Sequence, residues 1–102
     1  MSDVHKAVCD LFKKRGYPVP GDGRQLKSGF LHGTGHGVGL QIHEPPTVSV
    51  TNDIFQPGDV VTIEPGLYDR RVGGMRIEDI VVCMPDGSVR NLTRFDRELE
   101  IV

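Results

Sequence analysis

The stretch Phe30-Leu31-His32-Gly33-Thr34-Gly35-His36-Gly37-Val38-Gly39-Leu40-Gln41-Ile42-His43-Glu44-Pro45-Pro46 governs how the whole chain reads. It gathers His32, His36 and His43, and it sets Gly33, Gly35, Gly37 and Gly39 at alternate positions around His36. Glycine that dense weakens a strand, so here it marks close approach of another backbone or a ligand. An imidazole carried on bare backbone is open to a metal or substrate, as a packed core histidine is not. A phosphate loop does not fit. The glycines alternate instead of following GxGxxG, no Lys-Ser/Thr closes them, and prolines follow where a phosphate-binding helix would have to start. A zinc-protease helix fails too, because Pro45 and Pro46 break both the HExxH spacing and the helix.

On the C-terminal side, Val38, Leu40 and Ile42 alternate with Gly39 and Gln41, the period of a half-buried strand. Val48 and Val50 suggest a second extended piece. Pro57-Gly58-Asp59 turns the chain into Val60-Val61-Thr62-Ile63, whose β-branched run predicts a central strand. Met75 to Cys83 predicts a further strand, turned by Pro85-Asp86-Gly87 into Val89–Leu92 as a hairpin. On the N-terminal side, Val4, Ala7, Val8, Leu11 and Phe12 form one helical face over residues 2–15. Ser2 suits the N-cap, Asp3 the positive end of the helix, and Lys13, Lys14 and Arg15 the negative end. Gly16 suits the left-handed C-cap, and Pro18 and Pro20 forbid continuation. His5 falls on the polar side of this helix and needs no function, and residues 17–29 read as a surface loop. The expected class is α+β, one helix and a mostly antiparallel sheet in a single domain over residues 1–102.

Composition agrees and excludes several roles. The 102 residues hold thirteen Val against one Ala, with 13 Gly and 7 Pro, which favours strands and turns over a helical bundle. A net charge of −2 with no strongly basic segment argues against nucleic acid or an anionic membrane as partner. The apolar runs are far too short for a membrane span. No signal-peptide pattern is present, so the expected location is the cytoplasm. Cys9 and Cys83 then read as reduced thiols.

Two acids stand where acids are costly. Glu64 ends the run Val60–Ile63 and precedes Pro65-Gly66, while Glu78 sits between Ile77 and Asp79-Ile80-Val81-Val82. A carboxylate in such a place takes a metal, an Arg partner or a raised pKa. Arg76, two residues before Glu78, shares its sheet face, and Asp79 reads as ordinary solvent-facing charge. One histidine with two strand carboxylates is the donor set of a Mn, Co, Zn or Fe hydrolase site.

Three ordered motifs, His32-Gly-Thr-Gly-His36-Gly-Val-Gly-Leu with His43-Glu44, Thr62-Ile63-Glu64-Pro65-Gly66-Leu67-Tyr68, and Gly74-Met75-Arg76-Ile77-Glu78-Asp79, closely resemble the Xaa-Pro peptidase branch of the pita-bread metallopeptidases. That branch includes prolidase, aminopeptidase P and creatinase. The resemblance covers essentially the whole chain and implies the C-terminal portion of a pita-bread catalytic domain, lacking its N-terminal half. It implies His36, Glu64 and Glu78 as metal ligands, with Glu78 bridging two divalent ions. His32 and His43 would hold the scissile carbonyl, and Arg76 would orient Glu78 or contact substrate. The implied reaction is hydrolysis of the peptide bond before proline by a metal-activated hydroxide.

The family's site takes two further Asp ligands from the missing half. Asp3 and Asp10 on the helix and Asp22 and Asp53 in loops are not in the family's pattern. The chain alone would therefore carry zero or one ion and be inactive. A non-catalytic binding domain retaining the fold is the alternative expectation, and a mononuclear hydrolase with water as fourth ligand ranks after it. A truncated sheet should expose an edge, predicting a homo-oligomer that covers it.

Overall fold

A computed structural model describes residues 2–21 and 26–98. Helix α1 spans Asp3–Lys14, within one residue of the predicted limits at each end. The Ser2 hydroxyl accepts from the His5 N–H at 3.2 Å, Asp3 lies in the first turn and Lys13 and Lys14 in the last. Gly16 follows with φ of 84°, the left-handed stop. Among the described residues seven strands follow: β1 (Gly35–Gly37), β2 (Glu44–Val48), β3 (Val60–Ile63), β4 (Gly66–Asp69), β5 (Gly73–Arg76), β6 (Asp79–Cys83) and β7 (Val89–Asn91). Five form one sheet in the order β2-β1-β3-β6-β7, while β4 and β5 form a separate hairpin. Every pairing is antiparallel, so the α+β expectation holds.

The predicted hairpin of β6 and β7 is present, with Val82 opposite Arg90. Two predicted strands differ. Residues 38–43 are not a strand. The glycines themselves pair, Gly37 lying opposite both Val61 and Glu44, and the chain turns back at once. Leu40 and Ile42 consequently stand fully exposed in the connecting loop. The stretch from Met75 to Cys83 is split at Ile77-Glu78. Ile63 pairs with Asp79 and Gly66 with Arg76, so one register runs through both pairs of strands. It is interrupted where Pro65, which has no N–H to donate, meets Ile77. By that register Glu64 stands opposite Glu78.

The glycines have a steric reason. A Cβ on Gly35 would fall on the Thr62 carbonyl of β3, and one on Gly37 on the Pro45 carbonyl of β2. Strand β1 runs so close to both neighbours that only glycine fits, which answers the close approach expected of this segment.

The main core lies between α1 and the following loop, built from Cys9, Val19 and Phe30 with Val8, Phe12 and Leu67 against them. Phe30 is wholly buried and meets Phe12 edge-on at 5.4 Å. The buried helix face is rotated from the apolar stripe. His5 and Cys9 are buried, whereas Leu11 is half exposed. His5 is therefore an interior residue, not a polar-face one. Its Nδ1 lies 2.8 Å from the Thr34 hydroxyl, and that partner removes the penalty that would have sent an imidazole outward. Asp79 also differs from expectation. Both its oxygens take the Arg97 guanidinium at 2.8 Å, and its side chain is only 20% exposed. Cys9 and Cys83 are free thiols, both pushed up in pKa by burial. No described helix is long and apolar enough to cross a membrane.

Candidate metal centre

Strand β1 presents His36 between two glycines packed against neighbouring backbone, so the imidazole has room on the opposite side. His36 Nδ1 sits 2.9 Å from the Gly37 carbonyl, which only accepts, so this nitrogen carries the proton. Its Nε2 then faces Glu64 Oε1 at 3.1 Å. A neutral imidazole would set a lone pair against a carboxylate oxygen there, so the gap demands a cation, either a proton or a metal. Glu64 follows the last residue of β3, with its side chain 14% exposed. Its Oε1 accepts from the Thr62 hydroxyl at 2.9 Å and its Oε2 lies 3.6 Å from Arg76 Nε.

Thr62 was not singled out from the sequence. Its hydroxyl also accepts the His36 N–H at 3.0 Å, so it ties the histidine's backbone to the carboxylate. The signal was present in the alternation of Val61-Thr62-Ile63-Glu64, which puts Thr62 and Glu64 on one face. Tyr68 on β4 was likewise missed. His32 Nδ1 donates to the Gly33 carbonyl at 2.6 Å, leaving Nε2 to accept the Tyr68 hydroxyl at 2.8 Å. Tyr68 first, and then the Glu64 and Glu78 carboxylates, push the Arg76 guanidinium further up. The His43 ring meets that of His36 edge-on at 4.5 Å.

His32, His36, His43, Glu64 and Arg76 thus line one open cleft of about 600 Å³. Glu78 does not reach it. Its side chain lines a second cavity, on the far side of Arg76, with Met75, Phe95 and Arg97. Arg76 is within ion-pair distance of Glu64 and not of Glu78, the reverse of the pairing read from the sequence. Among the described residues no group of three or more His, Cys, Asp or Glu side chains converges as a complete metal site. Asp10 is bound to Lys6 at 2.6 Å, and Asp53 accepts the Thr47 N–H at 2.6 Å, so both are engaged elsewhere. Asp22 lies outside the described residues.

Burial first, and then nearby charges with His32 the smallest among them, hold the His5 imidazole below the ordinary value near 6.5. A depressed folded value means stability complete above the unfolded pKa and lost as pH falls through the folded one. Urea unfolding should therefore show stability declining below about pH 6.5, by up to about 1.4 kcal/mol per pH unit from this group. In His5→Leu the decline over that window should be shallower, and an unchanged slope would contradict the assignment.

Comparison with known proteins identifies the family and the fold. Residues 1–85 match the metallopeptidase family M24. The Xaa-Pro dipeptidase of Pyrococcus furiosus is 49% identical over 71 residues, covering 69% of this chain and 20% of that protein. The solved dipeptidase of Pyrococcus horikoshii OT3 superposes with a TM-score of 0.77 at 39% identity, over 95% of this chain and 25% of that one. The X-Pro aminopeptidase of Thermotoga maritima MSB8 gives 0.72 at 34% identity, over 92% and 24%. The helix and antiparallel sheet are thus a pita-bread arrangement, and this chain spans about a fifth of the length of the curated relatives it matches. The match runs from the helix through β6, taking in the glycine-flanked His36, Glu64 and Glu78 together: the chain belongs to metallopeptidase family M24.

Proposed function

We propose that this chain is the C-terminal part of the catalytic domain of an Xaa-Pro metallopeptidase, and that peptide hydrolysis requires residues beyond it. The observation that carries this is the His36 Nε2 to Glu64 Oε1 approach with Nδ1 already committed to a carbonyl. The separation of 3.1 Å is also that of two neighbouring ligands, each about 2.0–2.2 Å from one divalent ion. The pair fits a metal as part of its ligand set. Glu78, opposite Glu64 in register but lining the second cavity, would have to turn toward the cleft to serve as the third donor of this reading, and two aspartates from the remainder of the domain would complete it.

When bound, divalent ions (Mn, Co, Zn or Fe) would polarise the scissile carbonyl and lower the pKa of an attacking water. The chain's own residues have separate tasks. Thr62 fixes the Glu64 carboxylate and the His36 backbone together. His43 lines the cleft beside His36, where its ring can donate to the carbonyl oxygen of a proline-containing peptide. His32 has both nitrogens engaged, so it orients Tyr68 and the cleft wall in place of the hold on the scissile carbonyl that the resemblance implies. Arg76 offsets the charge of Glu64 and faces both cavities.

The test is calorimetric titration of the purified chain with Mn²⁺. Binding of about one ion per chain, weakened about 100-fold or more by Glu64→Gln, is the expected outcome. No binding by the unaltered chain, or equal binding by Glu64→Gln, would overturn the site. The chain alone should not cleave a Gly-Pro dipeptide with Mn²⁺ present; turnover abolished by Glu78→Gln would show instead that it is sufficient.

The same reading predicts self-association. Among the described residues strand β7 pairs only with β6 and is exposed along its length, and Phe95 beyond it is 82% exposed. Light scattering should give at least twice the monomer mass at high concentration. A monomer throughout would remove the homo-oligomer from the proposal.

A further inference from the structure

We propose that His5, on the helix and outside the cleft, is a positioning residue for the histidine segment and acts through Thr34. The proposal rests on the metal-site reading only in what is positioned, namely His36 against Glu64. Thr34 is wholly buried midway between His32 and His36, and each of its polar groups is tied to a different part of the fold. Its N–H donates to the Val48 carbonyl of β2 at 2.7 Å, and its carbonyl accepts the Glu64 N–H at 2.6 Å. Its hydroxyl meets His5 Nδ1 of α1 at 2.8 Å. One residue therefore sets the height of the histidine segment against the backbone of Glu64, and His5 is what holds that residue to the helix.

The imidazole itself is clamped. It is 1% exposed, its Nε2 lies 3.6 Å from Cys9 Sγ, and Phe30 packs against it at 5.6 Å between ring centres. Phe30 in turn meets the His32 ring, at 5.3 Å. The Ser2 N–H bonds the Ser49 carbonyl at 3.0 Å, so the start of the helix is tied down beside the same strand end. A rigid imidazole bonded to a rigid threonine transmits the helix position to the cleft. An apolar residue of equal size would fill the space and leave the Thr34 hydroxyl without a partner in the interior.

The experiment compares His5→Leu, Thr34→Val, their combination and His5→Asn, with Val19→Ala as a control that loosens the same core without touching a polar group. The first readout is the ring nitrogen and proton signals of His36 and His32 by NMR without metal; the second is Mn²⁺ affinity. His5→Leu and Thr34→Val should each displace the His36 ring signals and weaken Mn²⁺ binding about tenfold. The combination should be no worse than the stronger single change, because both remove one bond. His5→Asn, whose amide can reach the Thr34 hydroxyl, should restore both readouts, and Val19→Ala should lower stability with the ring signals in place. Unmoved ring signals in folded Thr34→Val, no rescue by His5→Asn, or an equal effect of Val19→Ala would overturn the proposal. If His5→Leu does not fold, Thr34→Val decides. Absence of Mn²⁺ binding by the unaltered chain defeats the metal-site reading alone, and the ring signals still judge His5.

Discussion

Gly35→Ala should destabilise the chain by about 3 kcal/mol and separate His36 from Glu64. The added Cβ would overlap the Thr62 carbonyl, a backbone atom of β3 held between β1 and β6. A flexible side chain could swing aside; a central strand cannot without breaking its ladder. Relief would have to come from β1 lifting off β3, which removes the Thr62 hydroxyl from the His36 N–H and with it the link to the carboxylate. Gly33→Ala supplies the comparison. Its Cβ would meet first the Ser49 side chain, at 3.1 Å, which can yield by a few tenths of an ångström. Urea denaturation should place the Gly33 variant within about 1 kcal/mol of the parent chain. Equal midpoints for the two variants would show that β1 has more room than its packing implies.

Phe30→Ala should cost about 3–5 kcal/mol, much of the stability of a chain this small. Phe30 is wholly buried, and its ring touches three aromatic neighbours: Phe12, His5 and His32. It is both the centre of the helix-side core and the support behind the first histidine of the cleft. Its backbone N–H is bonded to the Pro18 carbonyl, so the surrounding loop cannot collapse freely into the vacated space. Thermal unfolding should become broad or start near ambient temperature. Phe95→Ala, at an 82% exposed site, should change stability by less than about 0.5 kcal/mol. A Phe30 variant melting within a few degrees of the parent would mean that the cavity is refilled by Phe12 or Leu67.

Much of this was readable from local patterns. Ser2, Asp3, Lys13, Lys14 and Gly16 act within one helical turn of where they stand, and the helix begins and ends as they dictate. The alternate glycines announced a close backbone approach, and the carbonyls of Thr62 and Pro45 supplied it. The hairpin of β6 and β7 followed from its turn. The failures share a cause. Val38, Leu40 and Ile42 alternate like a strand, but alternation is indifferent to whether a partner strand is within reach. The stretch from Met75 to Cys83 is uniformly strand-like, and its break is imposed across the sheet by Pro65.

The candidate site divides the same way. The identities of His32, His36, His43, Glu64, Arg76 and Glu78 were available from three motifs, because donor chemistry belongs to the side chain and needs no coordinates. Their grouping was not. Long-range pairing of β1 with β3 brings His36 to Glu64, while the β4–β5 pairing gives Arg76 to Glu64 and leaves Glu78 at the break in the ladder. The helix face turned inward is likewise set by Thr34 and Phe30, not by the apolar stripe, which is why a histidine is buried and Leu11 is not. Short-range signals act through a few bonds and are written in consecutive residues. Contacts between distant segments are settled by which backbones can approach and which buried polar groups find partners, and those depend on the whole fold.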